Sequence, residues 1–242
     1  MEVKLIGTGS IGATSFSAST IIDKKILIDT PNGLVKLTKK NNINILDIEV
    51  ILITHLHGDH FMELPFIMLE KYFNKDNNEV LVYGPIGLEK KVKQLFTIAF
   101  PDDYDLVTQE TNFQFIEFNN NQVYKFNDYK FYPKLVEHGN LKPAYGIIVE
   151  YQNKRIGFSG DSTICDSIKD IIKASDISIL DTSLPDIGNR SHMGLIDIEA
   201  LRNTNKNKTI IATHMHDKTR LLAQNKKITN LIIPLDGYTF NL

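Results

Sequence analysis

A four-layer αββα sandwich, with two β-sheets packed face to face and helices covering their outer faces, is the architecture that this 242-residue sequence predicts. Strand-like apolar runs lead both halves of the chain. Helix-like segments with apolar residues three or four apart fall between them. No Pro/Gly/Ser-rich linker, low-complexity tract or internal repeat divides the sequence, and at 42% hydrophobic residues it can bury an ample core. Residues 1–242 are therefore expected to form one α/β domain.

The first strand, 3–6, enters Gly7, Gly9 and Gly12 in the spacing G-x-G-x-x-G. A dinucleotide-binding turn would need a helix to leave those glycines, because the pyrophosphate rests on its N-terminus. The exit, ATSFSASTII, is instead crowded with Ser, Thr and β-branched residues and lacks an apolar stripe of helical period. The glycines are thus expected to shape a loop between two antiparallel strands, the second at 20–29 and ending in Asp29. Strands follow at 49–54, 79–83, 113–118, 121–126 and 129–136, with helices at 62–74 and 87–98. In the second half, strands fit 145–151, 154–159, 177–181, 209–213 and 231–233, and helices fit 164–174, 196–203 and 216–224.

A net charge of −2 argues against a protein that holds long nucleic acid by its overall field. The single cysteine, Cys165, excludes an internal disulfide framework and a multi-cysteine zinc site; it fits a reducing interior and is expected to be buried and inert. The start MEVKLIG lacks a charged and then apolar leader, and no run of 18 apolar residues occurs. A cytoplasmic location with no membrane partner is the expectation.

Chemistry concentrates in EVILITHLHGDHFMELP. An apolar strand ends at Thr54, and His55, His57, Asp59 and His60 then crowd around Gly58. On extended backbone His55 and His57 share a side, so one cation can take both, while the turn at Gly58 swings Asp59 and His60 toward a neighbouring position. Imidazole and carboxylate suit Zn²⁺, and also Mn²⁺ or Fe²⁺. One loop cannot complete two coordination shells. Further donors stand where later apolar runs stop: His138 after FYPKLVEH, Asp161 after RIGFSGD and His214 after TIIATH.

THLHGDH, His138, the Gly160–Asp161 pair and His214 together resemble the metal motifs of metallo-β-lactamase-fold hydrolases. The likeness covers most of the chain. FSGDS and SHMG resemble the phosphodiesterase branch that includes ribonuclease Z, and the opening MEVKLIGTGSIGA is most similar to phage anti-Pycsar enzymes, which hydrolyse cyclic nucleotides. This resemblance implies that His55, His57 and His138 bind one divalent ion, that Asp59, His60 and His214 bind a second, and that Asp161 bridges them. Zn²⁺ is the expected metal and Mn²⁺ the alternative. Two such ions would outweigh the Asp59 and Asp161 carboxylates, attract an anionic phosphodiester, and make hydroxide available from a shared water at neutral pH. His192, in NRSHMG, matches a histidine of ribonuclease Z-like enzymes that serves as general acid or phosphate stabiliser; Asp59 doubles as orienter of the water.

The expected function is therefore a dimetal phosphodiesterase that opens 3′,5′-cyclic mononucleotides to nucleoside monophosphates. If phage-encoded, it would act in the host cytoplasm and blunt a defence signal. A tRNA 3′-end endonuclease is the main alternative. Its bacterial members carry a long arm between the third and fourth metal motifs, whereas two strands and a turn use the whole stretch from His138 to Asp161. A non-catalytic nucleotide sponge is the other alternative, disfavoured by the complete donor set. Relatives imply a homodimer, with 185–194 as a closing loop. His216 is expected at the solvent or substrate edge and not among the ligands, and Asp29 and Asp181 in supporting or capping parts. Tyr145, Phe158 and 184–187 are candidates to border a base pocket, although aromatic and apolar residues at strand positions more often belong to the core.

Overall fold

The computed structural model of the protein describes residues 1–226 and 228–242. The first half contains β1 (Glu2–Gly7), β2 (Ser19–Ile22), β3 (Ile26–Ile28), α1 (Leu34–Lys40), β4 (Val50–Leu52), α2 (Gly58–Phe61), α3 (Leu64–Phe73), β5 (Val80–Gly84), α4 (Leu88–Ala99), α5 (Tyr104–Glu110) and β6 (Phe113–Glu117). The second contains β7 (Tyr124–Phe126), β8 (Tyr129–His138), β9 (Leu141–Tyr151), β10 (Lys154–Phe158), α6 (Asp166–Ala174), β11 (Ile177–Asp181), α7 (Leu195–Thr204), β12 (Thr209–Thr213), α8 (Asp217–Lys226), β13 (Leu231–Ile232) and β14 (Tyr238–Asn241). Among the described residues these strands form two seven-stranded sheets, ordered β14-β1-β2-β3-β4-β5-β6 and β13-β12-β11-β10-β9-β8-β7.

Strand parity explains the layering. Side chains alternate across a strand, so Ile26, Ile28, Val50 and Leu52 join Phe131, Ile147, Val149, Ile156 and Phe158 between the sheets. Their neighbours Leu27 and Ile51 turn the other way and meet Leu64, Ile67 and Met68 of α3 and Val92 and Phe96 of α4. On the far side, Ile148, Leu180 and Ile210 pack against Ile168, Ile171 and Ile172 of α6 and Ile198 and Leu201 of α7. The four layers of an αββα sandwich follow from this pattern. No helix among the described residues is long and apolar enough to cross a membrane.

Several expected elements are corrected. The 20–29 strand is two strands, β2 and β3, paired antiparallel around Asp23 and Lys24, both at positive φ. The 121–126 strand shortens to β7, and the 62–74 helix begins at Leu64 with α2 as a separate turn before it. Helix α1, helix α5 and strand β14 were not expected. As expected, the glycine segment links two antiparallel strands, β1 and β2.

Candidate metal centre

In each sheet a block of parallel strands (β3-β4-β5-β6 and β10-β11-β12-β13) ends at one edge of the sandwich. Strand β8 runs the same way as β10, because each is antiparallel to β9. The crevice beyond such carboxyl ends is where open α/β sheets gather polar groups. Asp29 follows β3, the 55–60 segment follows β4, His138 closes β8, Asp161 follows β10, Asp181 closes β11 and His214 follows β12. The two sheets are tied here by the Tyr145 N–H, which donates to the Thr54 carbonyl at 3.0 Å.

Tight backbone turns aim these residues. His214 (φ 54°) and Gly160 (φ 57°) are left-handed. At Gly160 a Cβ would lie 2.7 Å from the Tyr145 carbonyl oxygen, so only glycine lets β10 pass under Thr54 and present Asp161. At the other tip the chain passes His57 in extended conformation and enters α2, which carries Asp59 and His60 on its single turn.

The donor atoms of His55, His57 and His138 lie within 4.8 Å of one another, and so do those of Asp59, His60 and His214. Asp161 stands between the groups. Its Oδ2 is 3.8 Å from His55 Nε2 and 4.0 Å from His138 Nε2 on one side, and 3.4 Å from His60 Nε2 and 3.3 Å from His214 Nε2 on the other. Asp59 Oδ2 lies 3.7 Å from His60 Nε2 and 3.4 Å from His214 Nε2. His57 is exposed, whereas His55, Asp59, His60, His138, Asp161 and His214 are buried.

Apart from His57, whose Nδ1 lies 3.0 Å from His138 Nε2, each ring is anchored through its second nitrogen. His138 Nδ1–H donates to the Ser191 carbonyl at 2.7 Å. His60 Nδ1 bonds Asp29 Oδ2 at 2.8 Å, and the Thr54 hydroxyl donates to the same carboxylate while lying 3.1 Å from His55 Nδ1. On the opposite sheet His192 Nδ1 bonds Asp181 Oδ2 at 2.9 Å, and the Ser183 hydroxyl donates to Asp181 Oδ1 and meets His214 Nδ1 at 2.8 Å. An imidazole held through Nδ1 presents Nε2 as the free donor. Thr54 and Ser183 went unnoticed in the sequence; the available signal was a hydroxyl beside a strand-end histidine or aspartate.

Burial and charge show that the group of residues fits divalent cations. His55 Nε2 and His60 Nε2 are buried without a hydrogen-bond partner, a state that costs about 1–3 kcal/mol per group unless something satisfies it. Burial opposes ionisation of Asp161, yet His214 and His60 outweigh it and hold the carboxyl well below its usual range. Burial likewise opposes a charge on His60 and His214, but Asp161 chiefly raises both, His60 far above the ordinary imidazole value. His55, where burial and the His60 charge act together, falls well below it. The pocket draws in positive charge: His60 and His214 favour protons that a bound cation would displace, while His55 keeps its lone pair free for a metal.

His192 lies beside this centre, its Nδ1 3.9 Å from Asp161 Oδ2. Burial lowers its pKa, but the Asp181 hydrogen bond outweighs burial and raises it. Asp197 pins both ends of the loop that bears it, accepting from the Gly188 N–H at 2.6 Å and the Gly194 N–H at 2.9 Å. His216 is exposed and bonded to Ser10. Tyr145 and Phe158 belong to the core between the sheets, and Ile187 is exposed. Cys165 is half-buried at the N-terminal flank of α6, which corrects the expectation that it is buried.

Residues 1–235 match the family described as Anti-Pycsar protein Apyc1. Ribonuclease Z of Pyrococcus horikoshii is 27% identical over 165 residues, 66% of this chain and 51% of that protein. The chain spans about half the length of the ribonuclease Z relatives it matches. Among solved structures, the metallo-β-lactamase-fold protein YhfI from Bacillus subtilis superposes with a TM-score of 0.78 at 14% identity, covering 99% of each chain. A diphosphatase from the PhnP family gives 0.78 at 20% identity, covering 100% of this chain and 97% of that one. At these identities the structural likeness is one of fold, the metallo-β-lactamase fold.

Proposed function

The chain belongs to the Anti-Pycsar protein Apyc1 family, and from that premise we propose that it is a metal-dependent phosphodiesterase opening 3′,5′-cyclic mononucleotides to nucleoside monophosphates. The observation that carries the reading is the pair of donor groups sharing Asp161, with His192 beside them. His55, His57 and His138 would hold one divalent ion, Asp59, His60 and His214 a second, and Asp161 would bridge; the nitrogen and oxygen donors suit Zn²⁺ first and Mn²⁺ second. Bound ions of this kind supply Lewis acidity toward phosphate oxygens and lower the pKa of water.

The chain's own residues do the rest. Asp59 orients the attacking water, whose oxygen joins phosphorus as the bond to one ribose oxygen breaks. His192, kept protonated by Asp181, gives that departing oxygen a proton, and its Nδ1–Asp181 bond leaves Nε2 to do so. The pinned loop keeps the ring in place during the step. The reading extends to a homodimer in which the 185–194 loop closes a neighbouring site.

Ribonuclease Z relatives favour a second reading, cleavage of a tRNA precursor. Against it, a single hairpin, β8–β9, and strand β10 occupy the whole stretch from His138 to Asp161, leaving no arm to hold structured RNA. Incubating metal-loaded protein with cAMP, cGMP, cCMP, cUMP and a precursor tRNA decides between them. Monophosphate release from a cyclic nucleotide is expected; cleavage of tRNA with no cyclic-nucleotide turnover overturns the proposal, and return of intact bound nucleotide marks a sponge.

A further inference from the structure

Resting on that reading, we propose that His216 binds the nucleoside end of the substrate through Nε2–H and that Ser10, on the glycine loop, is the positioning residue that aims it. The G-x-G-x-x-G segment opens no helix and leads instead into β2. It folds onto the chain just beyond His214: Met215 N–H donates to the Thr8 carbonyl at 3.1 Å, and Ser10 N–H donates back to the Met215 carbonyl at 3.2 Å. The fit requires a bare backbone at Gly9, where a Cβ would come within 2.5 Å of the Ser15 carbonyl oxygen. Asp217 clamps the far end of the loop by accepting from the Thr14 N–H and hydroxyl.

This stitching brings together two residues far apart in the chain. Ser10 is 2% exposed, and its hydroxyl lies 2.9 Å from Nδ1 of the exposed His216. Among the described residues that nitrogen is the hydroxyl's one partner. A buried hydroxyl donates where it can, so Nδ1 accepts, the ring's hydrogen sits on Nε2, and an oriented donor faces solvent.

The place of this donor gives it a use. His216 N–H reaches the Ser183 carbonyl at 3.4 Å, and the Ser183 hydroxyl lies 2.8 Å from His214 Nδ1 and 3.3 Å from His192 Nδ1. His216 therefore adjoins Ser183, the residue at the junction of His214 and His192 on one edge of the centre. The oxygen that His192 protonates stays on the ribose, so the nucleoside extends from that side, where Nε2–H can meet an acceptor on its sugar or base. Ile11, next to Ser10 and 74% exposed, offers the apolar surface beside it.

The test measures kcat/KM of the metal-loaded enzyme for its best cyclic nucleotide and for bis(p-nitrophenyl) phosphate, which has no nucleoside. For His216→Ala the ratio of the two is expected to fall about tenfold, mainly through KM, as for loss of one hydrogen bond to substrate. His216→Gln, which keeps an N–H at similar reach, restores most of it, and Ser10→Ala gives an intermediate ratio. An unchanged ratio in His216→Ala, or no rescue by His216→Gln, overturns the assignment while the cyclic-nucleotide reading stands. Wild-type hydrolysis of the synthetic diester without turnover of any cyclic nucleotide overturns both.

Discussion

The Asp29 and Asp181 carboxylates hold equivalent posts, one at the tip of β3 and one at the tip of β11, in opposite sheets. Each bonds one imidazole directly and steadies another through a hydroxyl: His60 and, by Thr54, His55 for Asp29; His192 and, by Ser183, His214 for Asp181. Losing such an outer partner typically costs 10- to 100-fold in metal affinity. Asp29→Asn is accordingly expected to weaken Zn²⁺ binding by roughly that factor, read by calorimetric titration. Asp181→Asn should weaken binding through His214 and also lower kcat through His192, so its activity stays low at saturating metal.

His192→Gln removes a proton donor without removing a proposed ligand. Its kcat on a cyclic nucleotide is expected to drop about 10²- to 10⁴-fold, with metal content unchanged by elemental analysis. A p-nitrophenolate leaving group needs little protonation, so bis(p-nitrophenyl) phosphate hydrolysis should suffer far less. Equal losses on both substrates would instead assign His192 to phosphate stabilisation.

Chelation should destabilise the fold as well as stop turnover. An ion present at about 100 times its dissociation constant adds ~2.7 kcal/mol, and a chain of this size shifts by about 2–4 °C per kcal/mol. A fall in Tm of roughly 5–10 °C on adding EDTA is expected by scanning calorimetry, reversed by Zn²⁺.

Far from the centre, Glu150 accepts from Lys130 at 2.6 Å and Arg155 at 2.6 Å. The Lys130 hydrogen bond chiefly holds its carboxyl below the ordinary 4.5; burial opposes this and Arg155 reinforces it. A carboxylate lowered on folding contributes its full stability above the unfolded value and loses it as pH falls through the folded one. Glu150→Gln should therefore destabilise the protein at pH 7, and its difference from wild type in urea-melt stability should shrink below about pH 4.5.

The sequence made the donors legible because their residue types are chemically narrow and each ends an apolar run, as His138, Asp161 and His214 do. Parity alone separated the inner and outer faces of β3 and β4. Other features depend on distant partners. The N-terminus of α1 is capped by Glu63, which accepts from Gly33 N–H and Val35 N–H, so no local signal announces it. Strand β14 exists by pairing with β1. The break in 20–29 hides in an Asp-Lys-Lys turn without glycine or proline. The shared service of Asp29 and Asp181 required the two sheets to meet.

The donors divide between the sheets: 55–60 from one, His138, Asp161 and His214 from the other. A cation held among them would work as a rivet across the sandwich, closing a long span of chain much as a covalent staple does. Slackening the layer beneath it, at Ile28, Phe158 or Ile179, would then show itself as leakage of metal well before the protein melts. Occupancy becomes a gauge of how firmly the two halves are pressed together.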